Sequence, residues 1–194
     1  MSHLSKNMRI GLLGGSFNPA HEGHLHISNL AMKHLKLDKI WWLVSPQNPL
    51  KSQVGMASFD VRVRAARKVV GDNSEIVVSD IEKRLLTFYA VDTIVALKRE
   101  FPGTSFVWII GSDLLVQLPY WKKWRHLFKT VPVAIFARPS YSSRALSGRV
   151  IRRFAASRIS RFRIGSLAEM SPPAWSYVRT RLNRQSSSRI RAQN

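Results

Sequence analysis

The chain has 194 residues, of which 45% are hydrophobic and 22% charged, so its length and composition fit one globular domain with a sizeable core. Its 31 lysines and arginines against 11 acidic residues give a formal net charge of +20, which excludes an acidic, disordered protein and points to a polyanionic partner. The absence of cysteine excludes disulfides and cysteine-ligated metal sites.

Short apolar runs and longer amphipathic stretches alternate over the first 137 residues. The runs are rich in β-branched and aromatic residues and predict five buried strands, at 10–13, 40–44, 76–78, 106–110 and 131–137. The stretches between them have apolar residues at helical spacing and predict helices at about 24–35, 59–70 and 89–101. This alternation predicts an α/β fold with a doubly wound, Rossmann-like parallel sheet flanked by helices, and ligands beyond the carboxyl ends of its strands.

The pattern weakens from Arg138 onward, where residues 138–194 contain 13 arginines, no lysine and a single acid. We predict a short helix over 150–154, a last strand over 162–164 and a break in regular structure at the Ser-Pro-Pro run of 171–173. The chain is interpreted as a single domain over 1–194, with a core at about 8–137 and an arginine-rich C-terminal subregion at about 138–194 that adds a small helical segment.

No signal-peptide layout is visible at the N-terminus, and the longest apolar run, 106–110, is too short to span a bilayer. We therefore expect a soluble protein without a membrane partner. The lack of cysteine agrees with a cytoplasmic location.

The most informative segment follows the first predicted strand and runs from Gly14 to His24 with the sequence GGSFNPAHEGH. Two glycines let the backbone approach a ligand closely, and the free N–H groups of the loop and of the following helix suit a phosphate. His21 and His24 can point the same way and donate to phosphate oxygens. Each residue alone fits a turn, a surface histidine or a helix cap; their combination at a strand-to-helix junction favours a phosphate site.

This segment resembles the G-G-[ST]-F-[DN]-P-x-H-x-G-H signature of the nucleotidylyltransferase superfamily, and later motifs resemble those of the bacterial nicotinate-nucleotide adenylyltransferase family. The resemblance covers residues 8–137 and resumes at 186–191. It implies that His21 and His24 are catalytic. It also implies that the loop binds the triphosphate of ATP through four residues: Gly14, Gly15, Ser16 and Phe17.

Two loops carry the resemblance further. Residues 45–51, SPQNPLK, are by composition a loop with a solvated positive tip, and the resemblance implies that Lys51 lies near the phosphates. Residues 82–89, EKRLLTFY, precede the third predicted helix, where Thr87 fits a helix N-cap. The resemblance implies that Thr87 and Tyr89 belong to the segment that holds nicotinate mononucleotide.

Asp113 follows the fourth predicted strand, and Trp121 and Trp124 come next at helical spacing. Asp113 can accept from ribose donors or cap the next turn, and tryptophans at this spacing are more often packing residues than ligand platforms. The family has a similar I-I-G-x-D element followed by W-x-x-W. The resemblance implies that Asp113 binds the mononucleotide and that Trp121 stacks on its pyridine ring, while Trp124 is interpreted as packing.

The last motif, SSSRIR at 186–191, would by composition be a disordered basic tail. Hydroxyls that open a helix beside arginines can also form an anion site. The segment resembles the family's I-S-S-T-x-I-R element, with Ser188 in place of the usual threonine. The resemblance implies that Ser187, Ser188 and Arg191 bind the phosphates of ATP.

Taken together, the resemblance implies adenylyl transfer from ATP to nicotinate mononucleotide, giving deamido-NAD and pyrophosphate in NAD biosynthesis. Mg²⁺ is expected to arrive with ATP, held by substrate oxygens and water, so no metal ligands are predicted from the chain.

Two alternatives stay open at this point. The acceptor could be nicotinamide mononucleotide or phosphopantetheine, because few contacts distinguish these substrates. The charge of +20 also invites a basic nucleic-acid-binding module, for which basic groups should interleave with exposed aromatics. Residues 138–163 offer Tyr141, Phe154 and Phe162 among their arginines, although a solvated face is the commoner outcome for such a run.

Overall fold

The computed structural model describes residues 7–47, 54–138 and 146–179. Within these ranges six parallel strands form one sheet in the order β3-β2-β1-β4-β5-β6. The strands are β1 Arg9–Gly15, β2 Lys39–Val44, β3 Ile76–Ser79, β4 Ser105–Gly111, β5 Val133–Phe136 and β6 Trp175–Val178. In the centre of the sheet, Leu12 of β1 lies opposite Trp41 of β2 on one side and Trp108 of β4 on the other.

Both faces of the sheet are covered, which explains why the strands read as continuous apolar runs. Successive side chains of a strand point to opposite faces, so Leu12 packs into one core and Leu13 into the other. The doubly wound parallel sheet predicted from the sequence is confirmed.

Helices connect the strands and supply the other half of each core. The helices are α1 Glu22–Leu35, α2 Phe59–Val70, α3 Ile81–Arg84, α4 Ala90–Glu100, α5 Trp124–Thr130 and α6 Arg149–Arg153. The shorter 3₁₀ helices are Ser112–Val116, Leu118–Tyr120, Ala155–Ser157 and Arg161–Glu169. Residues of α1 and α2 are buried on one face of the sheet, whereas residues of α4 and α5 are buried on the other. None of the helices in the described ranges is long and apolar enough to cross a membrane.

The predicted last strand at 162–164 is wrong. These residues lie in the 3₁₀ helix Arg161–Glu169, which starts where the Ser160 hydroxyl accepts a hydrogen bond from the Phe162 N–H. The Phe162 side chain is 83% exposed. A three-residue apolar alternation is therefore too short to report burial.

The strand that the sequence did not reveal is β6, which pairs in parallel with β5 and closes the edge of the sheet. It begins two residues after Pro172-Pro173, the run interpreted as a break. Trp175 is fully buried, and its Nε1 donates to the Phe154 carbonyl oxygen at 2.7 Å. The C-terminal subregion thus contributes a strand to the same sheet as the core.

Candidate active site

The loops that leave β1 and β4 meet where the order of the strands reverses, and this position leaves a crevice for a ligand. The backbone N–H of Ser45, just after β2, donates to the Gly15 carbonyl oxygen at 2.9 Å and ties the two neighbouring loops together. Gly14 lies against Trp108. A Cβ at position 14 would be 2.7 Å from ring carbon Cη2, so glycine permits this close approach.

His21 and His24 form a reciprocal pair at the first turn of α1. His21 is the N-cap, and its Nδ1 accepts a hydrogen bond from the Gly23 N–H at 3.0 Å. The backbone N–H of His21 in turn donates to Nδ1 of His24 at 3.2 Å. The two rings lie 3.9 Å apart, so the cap fixes both imidazoles in one place.

These hydrogen bonds also determine where the imidazole protons lie. Because both Nδ1 atoms accept, the proton of each neutral ring is on Nε2. Burial, and secondly the positive charge of Arg138, lower the pKa of His21 to about 4, so this ring is neutral near pH 7. The pair therefore presents Nε2–H donors at the positive end of a helix, which suits an anion.

Phe17 supports the histidine pair from within the protein. Its backbone has a φ of 47°, in the left-handed region, and its buried ring stacks on Trp42 at 5.0 Å and packs on His24 at 4.7 Å. The Trp42 Nε1 donates to the Ser28 hydroxyl, which donates to the His24 carbonyl oxygen, both at 2.8 Å. The Phe17 side chain is thus packed beneath the site, and only its main chain belongs to the loop.

Arg62 of α2 holds the glycine loop against the loop after β2. This side chain is 2% exposed and donates four hydrogen bonds to backbone carbonyl oxygens. The acceptors are Ser16 at 2.7 Å, Ser45 at 2.8 Å, Pro46 at 2.9 Å and Ala57 at 3.0 Å. A buried guanidinium needs such partners, and here they fix the main chain of two predicted substrate loops.

A cavity of about 420 Å³ opens beside the glycine loop. Three residues of that loop line it, namely Gly14, Gly15 and Ser16. Its opposite wall is largely aromatic and comes from the start of α4 and from the segment before α5. The aromatic residues of that wall are Phe88, Tyr89, Tyr120 and Trp121. The structure therefore brings the predicted phosphate loop and two predicted acceptor residues, Tyr89 and Trp121, to a single cavity.

Thr87 is placed differently from those two residues. Its hydroxyl lies 2.9 Å from the hydroxyl of Thr93, which donates to Oε1 of Glu82 at 3.3 Å. Its side chain does not cap α4, whose N-cap residue is Tyr89. Thr87 thus belongs to a buried network behind the cavity wall.

Glu82 is the buried carboxyl group of that network and lines the cavity. Burial raises its pKa to about 7, against the opposing effect of hydrogen bonds from Thr93 and Ser45. This carboxyl is therefore about half protonated at neutral pH, a property that often marks functional clefts.

Asp113 lies at the carboxyl end of β4, and its Oδ1 is 3.8 Å from Nε of Arg138. The backbone N–H of Arg138 donates to the Ser112 hydroxyl at 2.9 Å, which joins the loops after β4 and β5. Asp113 is not one of the described residues that line the cavity. Arg138 brings a positive charge close enough to His21 to affect its pKa.

Four predicted phosphate ligands lie outside the described residues: Lys51, Ser187, Ser188 and Arg191. Within the described ranges there is no cluster of three or more His, Asp or Glu side chains that could hold a metal ion.

Sequence reasoning missed three residues at this site: Arg62, Glu82 and Arg138. Arg62 had a detectable signal, since it lies on the helical face of Phe59 and Val63, where an apolar residue is expected. Arg138 directly follows a predicted strand, the position at which parallel sheets present ligand-binding groups. Glu82 lay within a motif quoted for other residues, and its burial had no signal in the sequence.

The chain is similar to known proteins over nearly its whole length. The family model described as cytidylyltransferase-like matches residues 12–193. A protein of Parvibaculum lavamentivorans named "Probable nicotinate-nucleotide adenylyltransferase" is 55% identical over 142 residues, which are 73% of this chain and 70% of that protein. A protein of Caulobacter sp. (strain K31) with the same name is 44% identical over 184 residues, 95% of this chain and 97% of that one.

Solved structures share the fold at lower identity. The nicotinic acid mononucleotide adenylyltransferase of Plasmodium falciparum, solved in complex with NaAD, matches with a TM-score of 0.71 and 18% identity, over 95% of this chain and 83% of that one. A structure described as a putative nicotinate-nucleotide adenylyltransferase from Vibrio parahaemolyticus matches with a TM-score of 0.54 and 18% identity, over 66% of this chain and 76% of that one.

Proposed function

Because the chain belongs to the nicotinate-nucleotide adenylyltransferases of the cytidylyltransferase-like family, we propose that it transfers the adenylyl group of ATP to nicotinate mononucleotide. The products are deamido-NAD and pyrophosphate, which places the reaction in NAD biosynthesis. The observation that carries this proposal is the pair of Nε2–H donors of His21 and His24 beside a cavity with an aromatic wall.

The reaction needs positioning and charge stabilisation more than a protein nucleophile. A 5′-phosphate oxygen of the mononucleotide attacks the α-phosphorus of ATP in line, the new P–O bond forms, and the bond to the pyrophosphate leaving group breaks. His21 and His24 donate through Nε2 to oxygens on which negative charge develops, and the N–H groups of the glycine loop assist them. Lys51, Ser187, Ser188 and Arg191 are proposed as further phosphate ligands.

The acceptor occupies the aromatic side of the cavity. Trp121 stacks on the pyridine ring, with Tyr89 in the same wall. Because the Thr87 hydroxyl is engaged with Thr93, Thr87 contributes its main chain and the shape of the loop rather than a free hydroxyl. Asp113 is proposed to accept from the ribose of the mononucleotide, in exchange with its contact to Arg138.

Mg²⁺ is proposed to enter as part of the ATP substrate, where it neutralises charge on the phosphate oxygens. The charged groups found around the site fit this arrangement. Asp113 faces Arg138, and Glu82 has a raised pKa, so neither carboxyl is suited to a resident metal. Imidazole and backbone N–H donors suit the phosphates instead.

A pyrophosphate-release assay tests the proposed reaction. The wild-type protein is given Mg²⁺, ATP and one of three acceptors: nicotinate mononucleotide, nicotinamide mononucleotide or phosphopantetheine. We expect the highest kcat/KM with nicotinate mononucleotide, and a His24→Ala sample purified in parallel controls for a contaminating enzyme. Turnover with none of the three, or with phosphopantetheine alone, would contradict the proposal.

A further inference from the structure

Lys122 carries an uncompensated positive charge at the aromatic wall of the cavity. It lines the cavity next to Trp121, and its Nζ lies 4.3 Å from the centre of the Tyr89 ring. In the described part of the chain Lys122 forms no ion pair. Its neighbour Lys123, by contrast, pairs with Asp92 at 3.7 Å.

The contact with Tyr89 restricts where this charge can be. A lysine side chain is long and mobile, but attraction to the face of an aromatic ring favours positions close to that ring. The Tyr89 ring belongs to the wall that also contains Trp121. The ammonium group is therefore held at the end of the cavity that would receive a planar ring.

The other charged side chain among the described lining residues is Glu82, and its negative charge is suppressed. Burial raises the pKa of Glu82 to about 7, and the Thr93 hydroxyl donates to its Oε1. The described lining of the cavity thus has one full positive charge and, at most, a partial negative one. Such a lining favours an anionic ligand over a neutral ligand of the same shape.

The position of Lys122 decides which anionic group of the acceptor it meets. The 5′-phosphate has to reach the histidines and the glycine loop, which lie across the cavity from Tyr89 and Trp121. The pyridine ring then lies against the aromatic wall, with its substituent close to Lys122. On the basis of the proposed function, we infer that Lys122 is a specificity residue that binds the pyridine carboxylate and disfavours the neutral carboxamide.

The inference is tested by the ratio of kcat/KM for nicotinate mononucleotide to kcat/KM for nicotinamide mononucleotide at saturating ATP. Lys122→Met keeps the length of the side chain and removes its charge, so the ratio falls about tenfold, as for loss of one charge-assisted hydrogen bond. The loss appears as a higher KM for nicotinate mononucleotide, while the KM for ATP is unchanged. Lys122→Arg retains most of the preference, because the charge remains.

Lys123→Met is the matched control, since it removes the same charge one residue away from a side chain that does not line the cavity. It leaves the ratio within about twofold of wild type, as expected for an exposed pair. Raising KCl from about 50 to about 500 mM lowers the ratio in the wild type more than in Lys122→Met, because salt screens an exposed charge.

The possible failures are distinguishable. An active wild type whose ratio is unchanged by Lys122→Met, or lowered equally by Lys123→Met, overturns the role of Lys122 and leaves the proposed function intact. Equal loss of both acceptors in Lys122→Met also overturns it, since the ratio is then unchanged. A wild type that uses neither mononucleotide overturns the proposed function and this inference with it.

Discussion

Nη1 of Arg62 lies 2.7 Å from the carbonyl oxygen of Ser16 and donates a hydrogen bond to it, so a helix far along the chain fixes the loop that precedes the catalytic histidines. The same nitrogen donates to Ser45 at 2.8 Å. One buried side chain thus joins the loops after β1 and β2. The shape of the proposed phosphate site depends on this contact as well as on the glycines themselves.

Replacing Arg62 with methionine should destabilise the protein by about 3 kcal/mol or more, because four backbone carbonyl oxygens lose their charged donor. Urea unfolding followed by tryptophan fluorescence measures this change. Arg64→Met, on the exposed side of the same helix, is the control and should change the free energy of unfolding by less than about 0.5 kcal/mol. Equal stability of the two variants would show that the Arg62 contacts do not hold the loops.

His24→Ala should lower kcat by on the order of a hundredfold or more, because it removes an Nε2–H donor to the reacting phosphates and the acceptor for the His21 N–H. His34→Ala, at the exposed far end of the same helix, should leave kcat unchanged. The measurement is pyrophosphate release at saturating substrates. Near-normal turnover in His24→Ala would remove the proposed catalytic role of the pair.

Trp121→Ala should raise the KM for nicotinate mononucleotide by about tenfold, while the KM for ATP stays within about twofold of its wild-type value. The physical reason is that the indole ring forms part of the aromatic wall and loses its stacking area on truncation. Trp121→Phe retains an aromatic face and should recover much of the affinity. If both KM values rise equally, the side chain supports the site as a whole and does not stack on the acceptor.

Glu82→Gln should change how stability depends on pH. The pKa of Glu82 is raised from 4.5 to about 7 in the folded protein, so the protonated form is favoured by folding. Its stabilising contribution is therefore complete below about pH 4.5 and is lost as pH rises through about 7. Glutamine keeps the acceptor for Thr93 without a titrating group.

The difference in Tm between wild type and Glu82→Gln measures this effect between pH 5 and pH 8. It should shift by a few degrees against the wild type as pH rises, with most of the change complete near pH 8. His21, whose lowered pKa has the opposite effect on acidification, is present in both proteins and cancels. A difference that is independent of pH would mean that Glu82 titrates normally.

Much of the fold could be predicted because parallel strands and amphipathic helices show their burial in consecutive residues. The runs at 10–13 and 40–44 are apolar because both faces of the sheet are covered, and they became β1 and β2. The strand predicted at 162–164 failed, and β6 was missed. Both segments are so short that their burial depends on distant partners, Phe136 and its neighbours in β5 for the latter.

The site divides in the same way. The glycine loop and the spacing of His21 and His24 could be interpreted from the sequence, because the turn, the helix start and the cap are local features. The tertiary structure decided the rest: that Arg62 is buried on the loop carbonyls, that Arg138 faces Asp113, and that the Glu82 carboxyl is desolvated.

The charge shows the same division. By itself the sequence determined the sign and the size, +20, and that the excess lies largely among the arginines after 137. Which charges are neutralised and which face a ligand was decided only by folding, which pairs Lys123 with Asp92 and leaves Lys122 at the cavity without an ion pair in the described ranges. The physical reason is that charge is additive along a chain, whereas its effect depends on distance and burial in three dimensions.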